Sequence, residues 1–250
     1  MTDQNIDSRV TVITGAGSGI GRAMAHGFAR AGNRVVVVDI DEDSAAKTVA
    51  ELGTGALAAR VDISDPDAVE QLVTRTIDAY GRIDVLCNNA GIMDRMALPA
   101  DTTVDQWKRV IDINLTGTFL LTKAVLPHML GRGSGAIVNT ASEAGIRGGA
   151  AGIAYTSSKH GVIGLTRSIA WAHAGDGIRC NAILPGPTMT GIAPDFDPQG
   201  VARLRPILEL NQQRLAQPDQ MAAVAVFLAS DAASFVNGAI VPVDAGWSAG

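Results

Sequence analysis

The chain predicts an α/β fold: a doubly wound parallel sheet of about seven strands flanked by helices. Three observations carry that prediction. Short apolar runs alternate with helical patterns from end to end, the runs are apolar at consecutive positions, and a glycine cluster follows the first of them. Consecutive apolar residues mark strands buried on both faces, as they are when helices cover a parallel sheet.

Residues 9–14 read as the first strand, and residues 20–31 have helical apolar spacing that stops at Gly32. A Val-rich strand follows at 34–39, Asp41 can cap a helix over 42–52, and 56–61 returns as a strand. The alternation continues with a helix over 66–80, a strand at 83–87, a long helix over 104–131 and a strand at 136–140. A helix over 153–174, a strand at 178–184, a helix over 219–230 and a strand at 239–243 complete the series. Only 186–215 breaks the rhythm. It holds Pro187, Pro194, Pro198 and Pro206 and follows a strand's C-terminal end, where ligands bind in such sheets, so 187–215 is expected to be a substrate lid.

With 250 residues and 47% hydrophobic content the chain can build one sizeable core, and 1–250 reads as a single domain. A net charge of −5 with no Lys/Arg block argues against nucleic acid and leaves a small molecule as the expected partner. Residues 1–9 have neither a signal-peptide nor a transit-peptide pattern, and no uncharged apolar stretch reaches membrane-spanning length. Cys87 and Cys180 sit in apolar strands without metal spacing and are expected to be buried reduced thiols, which points to a cytoplasmic address. His26, His128, His160 and His173 are scattered, so no metal site is expected.

The turn Gly15-Ala16-Gly17-Ser18-Gly19-Ile20-Gly21 lies between a strand and a helix, the context in which glycines let backbone approach a pyrophosphate at a helix N-terminus. The spacing departs from strict G-x-G-x-x-G. Asp39 ends the second strand, where a carboxylate can accept hydrogen bonds from both adenosine ribose hydroxyls and would repel a 2′-phosphate. Neither Ile40 nor Ser18 offers a cation to such a phosphate, so the expected cofactor is NAD rather than NADP.

Tyr155 and Lys159 are four apart on a predicted helix and share a face, so the ammonium can lie beside the phenol and favour its ionised form. Bringing a tyrosine from about 10 to about 7 needs roughly 4 kcal/mol of differential stabilisation.

Thr14-Gly15-x-x-x-Gly19-x-Gly21, Asn88-Asn89-Ala90-Gly91, Asn114, Ser142, Tyr155-x-x-x-Lys159 and Pro185-Gly186-x-x-x-Thr190 together resemble the classical short-chain dehydrogenase/reductase family in identity, order and spacing over nearly the whole chain. The resemblance implies a Rossmann-type fold and hydride transfer between a secondary alcohol or ketone and nicotinamide. It implies Tyr155 as general acid/base, Ser142 on the substrate oxygen, Lys159 on the nicotinamide ribose, and Asn114 holding a water for proton relay. It further implies cofactor contacts from Asp62, Ile63, Asn89, Ala90, Gly91, Pro185, Gly186, Thr188 and Thr190, and a homotetramer. One departure is Val243-Asp244-Ala245-Gly246, where similar proteins often have Val-Asp-Gly-Gly, which puts the local turn in question.

Around the expected pocket, Ile92, Met93, Ile146, Met189, Ile192, Phe196 and Leu204 make a mostly apolar lining, suited to a hydrophobic secondary alcohol or ketone. Glu143, directly after Ser142, either binds a second substrate hydroxyl or faces solvent. Arg147, Arg203 and Arg205 read as surface charges. Two alternatives stay open: a 3-oxoacyl-(acyl-carrier-protein) reductase, disfavoured by Asp39 and by Ala136 and Asp176 where bases would meet an acidic carrier, and a non-catalytic NAD-sensing protein, disfavoured by the intact tetrad.

Overall fold

Strand β1 (Val10–Thr14) and its neighbour β4 (Val85–Asn88) are buried at every position, and β2 (Arg34–Asp39) at all but its two end residues. With β3 (Leu57–Arg60), β5 (Gly135–Thr140), β6 (Ile178–Pro185) and β7 (Ile240–Val243) they form one sheet in the order β3-β2-β1-β4-β5-β6-β7, every pair parallel. This is a computed structural model, and it describes residues 8–191, 195–209 and 215–249.

Alternate strand residues feed two cores. Ile13, Val35, Val37, Val85 and Val138 pack with Met24, Phe28, Ala225 and Leu228 beneath α1 (Gly19–Arg30) and a later helix, Pro218–Ala229. Val12, Val36, Val38, Leu86 and Ile137 pack on the opposite face with Leu72, Leu121, Val125 and Ile169. That second face is covered by α3 (Pro66–Tyr80) and by the helices Gly117–Leu130 and Ile153–Ala172, while α2 (Glu42–Leu52) sits beside α1. The consecutive apolar runs are therefore explained by burial on both sides.

Two regions differ from the sequence expectation. The long helix over 104–131 is three pieces: α4 (Val104–Ile111), a π turn (Asp112–Thr116) and α5 (Gly117–Leu130). By length and composition this rod could cross a membrane, but it lies against α3 and α6 (Ile153–Ala172) as an internal element. The expected lid contains a helix, α7 (Pro198–Glu209), which precedes α8 (Pro218–Ala229). Asp197 starts α7 by accepting the Gly200 amide at 2.8 Å, with Pro198 in the first turn. The abundance of prolines masked that start signal.

The strand order reverses between β2-β1 and β4-β5, and the strands' C-terminal ends all point to one edge. Thr14, Asp39, Asn88, Thr140 and Pro185 end their strands there, so the residues that follow them are gathered at the crevice.

Candidate active site

Backbone approach decides the turn after β1. Gly15 has φ 65°, and a Cβ on it would lie 2.9 Å from the Ala90 Cα; Gly19 has φ 51°, beside the Thr190 side chain. A Cβ on Gly21 would collide with the Gly15 carbonyl oxygen. Ser18 supplies no side-chain cap to α1, which leaves the first-turn amides, Ile20 among them, directed at the crevice as an anion site. The donor set and the cradle fit a dinucleotide.

Asp39 reaches this turn from β2. Its Oδ2 accepts the Gly17 amide at 2.9 Å and its Oδ1 the Asp41 amide at 3.1 Å, which leaves each oxygen a further lone pair. Ile40 beside it is exposed and carries no charge. Asp41 caps α2 through Asp43 and Ser44, as its position predicts.

Ser142, Tyr155, Lys159 and Asn114 come together from three elements: the turn after β5, α6 and the π turn. Ser142 follows β5 and accepts the Ala144 amide at 3.1 Å, which orients its own O–H outward to donate. It also hydrogen-bonds Tyr155, and the Lys159 Nζ lies 5.4 Å from the tyrosine ring centroid. Lys159 is buried and donates to the Thr140 carbonyl at 2.8 Å; the bare Gly91 backbone passes beside it. Asn114 sits in the π turn, where the widened backbone lets its amide bridge two segments. Nδ2 donates to the Ile92 carbonyl at 2.9 Å and to the Ser158 Oγ at 3.1 Å, and Oδ1 accepts the Ile92 amide at 2.8 Å.

The electrostatics of the pair run opposite to the spacing argument. Burial pushes the Tyr155 phenol up to about 12, against the pull of its hydrogen bond with Ser142, and burial depresses the Lys159 ammonium to about 8. Desolvation is the largest cause at both groups, and the ammonium stands 5.4 Å from the ring centroid.

Other expected contacts are placed unequally. The Asn89 side chain is committed to the turn, donating to the Thr14 carbonyl at 3.0 Å, while the Asn89 and Ala90 amides both bond the Thr14 Oγ1 at 3.0 Å. Asp62 is exposed, with Oδ1 bonded to Ser64 and its pKa lowered by those bonds; the Ile63 side chain is core, packed on Gly117. Pro185 ends β6 and Gly186 follows it against the Asp244 backbone, and Thr188 donates to the Gly186 carbonyl at 2.9 Å. Met189 is exposed beside Gln217, and Ile192 lies outside the described residues.

Glu143 does not face solvent: it is 1% exposed and ion-paired with Arg147. Arg147 is correspondingly not a surface charge, since its guanidinium lies 4.7 Å from the Trp247 ring centroid and donates to the Trp247 carbonyl at 3.2 Å. Burial raises the Glu143 pKa and Arg147 opposes the rise. Trp247 Nε1 in turn donates to the Ile207 carbonyl of α7 at 3.1 Å.

Sequence reasoning passed over Asp94. It caps α6 from the β4–α4 loop, 58 residues before Gly152, and no local pattern signals so remote a cap.

A family model described as enoyl-(acyl carrier protein) reductase matches residues 15–248. Cis-4-hydroxycyclohexanecarboxylate dehydrogenase of Sinomonas cyclohexanicum is 44% identical over 96% of this chain and 97% of its own length. 3beta-Hydroxysteroid dehydrogenase 2 of Eggerthella lenta is 38% identical over 96% of this chain and 95% of its own. The crystal structure of 3-ketoacyl-(acyl-carrier-protein) reductase from Brucella melitensis complexed with NADH superposes with a TM-score of 0.87 at 32% identity, covering 98% of this chain and 100% of that one. The glycine turn, the helix-borne Tyr155/Lys159 pair and these likenesses agree: the chain belongs to the classical short-chain dehydrogenase/reductase family, nicotinamide-dependent oxidoreductases acting on CH–OH groups.

Proposed function

We propose that this protein is an NAD-specific dehydrogenase of hydrophobic secondary alcohols, with Tyr155 as its acid/base. The observation that carries the reading is the convergence of Ser142, Tyr155 and Lys159 at the crevice whose other wall is the Asp39-bound glycine turn. The oxidised dinucleotide, when bound, supplies the hydride acceptor and a positive charge beside the phenol. Tyr155 takes the hydroxyl proton while Ser142 donates a hydrogen bond to the substrate oxygen as charge develops there. Lys159 spends one of its three N–H donors on the Thr140 carbonyl, which leaves two for a ribose hydroxyl and for a water on Asn114. The Asp39 carboxylate accepts from the adenosine ribose and excludes a 2′-phosphate. Pro185, Gly186, Thr188 and Thr190 line the nicotinamide end, and Gly91 and Ala90 meet the cofactor through backbone alone.

Substrate choice is assigned to Met189, Ile192 and the lid at 187–215. The named relatives act on ring alcohols, a hydroxycyclohexane acid and a hydroxysteroid, which supports a cyclic alcohol with apolar carbons. Glu143, held by Arg147, frames the serine turn. A homotetramer in the cytoplasm completes the reading: Trp171 and Phe235 are exposed apolar residues suited to an interface, Gly164 on α6 opens to space, and Cys87 and Cys180 are free buried thiols. Gly161, by contrast, is filled by Leu115 of its own chain.

The test follows absorbance of the reduced cofactor with cyclohexanols, hydroxysteroids, vicinal diols, sugars and 3-hydroxyacyl thioesters, with NAD⁺ and NADP⁺ separately. Turnover of ring alcohols with NAD⁺ is expected. Preference for the thioester with NADP⁺ would replace this reading with the acyl-carrier one, and tight NAD⁺ binding without any turnover would replace it with sensing.

A further inference from the structure

Asp94 is 3% exposed and pairs with no cation among the described residues. Three backbone amides hold its charge instead. Oδ2 accepts from the Tyr155 amide at 2.9 Å, and Oδ1 accepts from Gly152 at 3.2 Å and from Met96 at 3.0 Å. Gly152 and Tyr155 are the cap and third positions of α6, which has no side-chain cap of its own, so a carboxylate there also meets the positive end of the helix. A Cβ on Gly152 would collide with this carboxylate.

The same carboxylate governs the segment that carries the lid. Met96 has φ 56°, a conformation methionine rarely adopts, and the Asp94 side chain fixes it by an Asx-type bond to the Met96 amide. From that bend the segment grips the lid. Arg95 donates to the Asp195 carbonyl at 2.9 Å and to its carboxylate at 2.8 Å, and the Arg95 carbonyl accepts the Asp197 amide at 2.7 Å. The Met96 carbonyl lies against Gly200 of α7, where any Cβ would collide.

We propose that Asp94 is a positioning residue that ties docking of the lid to placement of Tyr155, so that one carboxylate sets both the hold on substrate and the aim of the acid/base. The proposal rests on the reading of Tyr155 as acid/base. Tyr155 is faced by Ser142 from the turn after β5, by Lys159 from its own helix and by Asp94 from the loop after β4; the serine hydrogen bond draws the phenol down and the Asp94 charge pushes it up.

Hydrogen–deuterium exchange on the full chain, read at 152–158 and at 195–209, tests the tie without substrate. Asp94→Asn removes the charge and turns one acceptor into a donor, so exchange is expected to quicken about tenfold in both segments. Gly200→Ala, which acts from the lid alone, is expected to quicken exchange at 152–158 as well, because coupling is reciprocal. A response confined to the segment nearest each substitution would overturn the proposal, and Gly200→Ala decides it alone if Asp94→Asn does not fold. Kinetics with the alcohol selected above add a second reading. Asp94→Asn should raise KM, lower kcat and move the acid limb of kcat/KM to lower pH; Asp94→Glu should lower kcat with the limb in place. A fall in kcat with KM and limb unchanged would reduce Asp94 to a structural part. Turnover surviving in Tyr155→Phe would instead remove the acid/base reading and leave the exchange result to judge the tie.

Discussion

The Asp39 carboxylate accepts the Gly17 amide at 2.9 Å, and a Cβ on Gly17 would lie 2.8 Å from the same oxygen. The end of β2 and the turn after β1 are thereby locked together by the side chain assigned to the adenosine ribose. Asp39→Ala should lower kcat/KM for NAD⁺ by about tenfold or more, the loss of charged hydrogen bonds, and raise the relative use of NADP⁺. Steady-state kinetics with both cofactors measure this; an unchanged ratio would remove Asp39 from cofactor choice.

Tyr155→Phe deletes the phenolic hydroxyl but keeps the ring beside Lys159. Turnover should fall by about 10²–10⁴-fold, the usual worth of a positioned acid/base, while NAD⁺ affinity by calorimetry stays within about twofold.

Lys159 is held in the folded state at a cost. Its ammonium titrates near 8 when folded and near the ordinary 10.5 when unfolded, so between those values the unfolded chain binds the extra proton. Stability contributed by this site is therefore lowest below pH 8 and rises with pH through the window. Relative to Lys159→Met, the unmodified protein should gain about 2 kcal/mol between pH 7.5 and pH 10, read from urea unfolding at fixed protein concentration. Parallel pH curves would place the ammonium in water.

Ala245 has φ 57°, the left-handed region, at the position where similar proteins often carry glycine. Steric strain on an alanine there amounts to about 1–2 kcal/mol, partly offset by the greater freedom glycine has when unfolded. Ala245→Gly should raise stability by about 0.5–1 kcal/mol with kcat and KM intact, checked by thermal unfolding and kinetics.

Much of this site was legible because its chemistry is written locally. A glycine turn between a strand and a helix, a strand-ending Asp39 and a four-residue Tyr155/Lys159 spacing depend on neighbours in the chain. Helix α7 within the expected lid is hard to read from the chain because Pro198 and Pro206 look like breakers, although Asp197-Pro198 is a helix start. The burial of Glu143 is not legible in the chain, because its partner Arg147 is held by Trp247, 100 residues away.

The sequence by itself determined the parallel sheet and the family, and it named the residues proposed for the site, since periodicity and motif spacing are properties of short segments. Only the tertiary structure decided the sign of the Tyr155 and Lys159 shifts, the burial of Glu143 and the reach of Asp94 from its own loop to the Met96 and Tyr155 amides. The physical reason is common to all three. Desolvation and capping by a distant carboxylate depend on which segments the fold packs together, and no spacing along the chain encodes that distance.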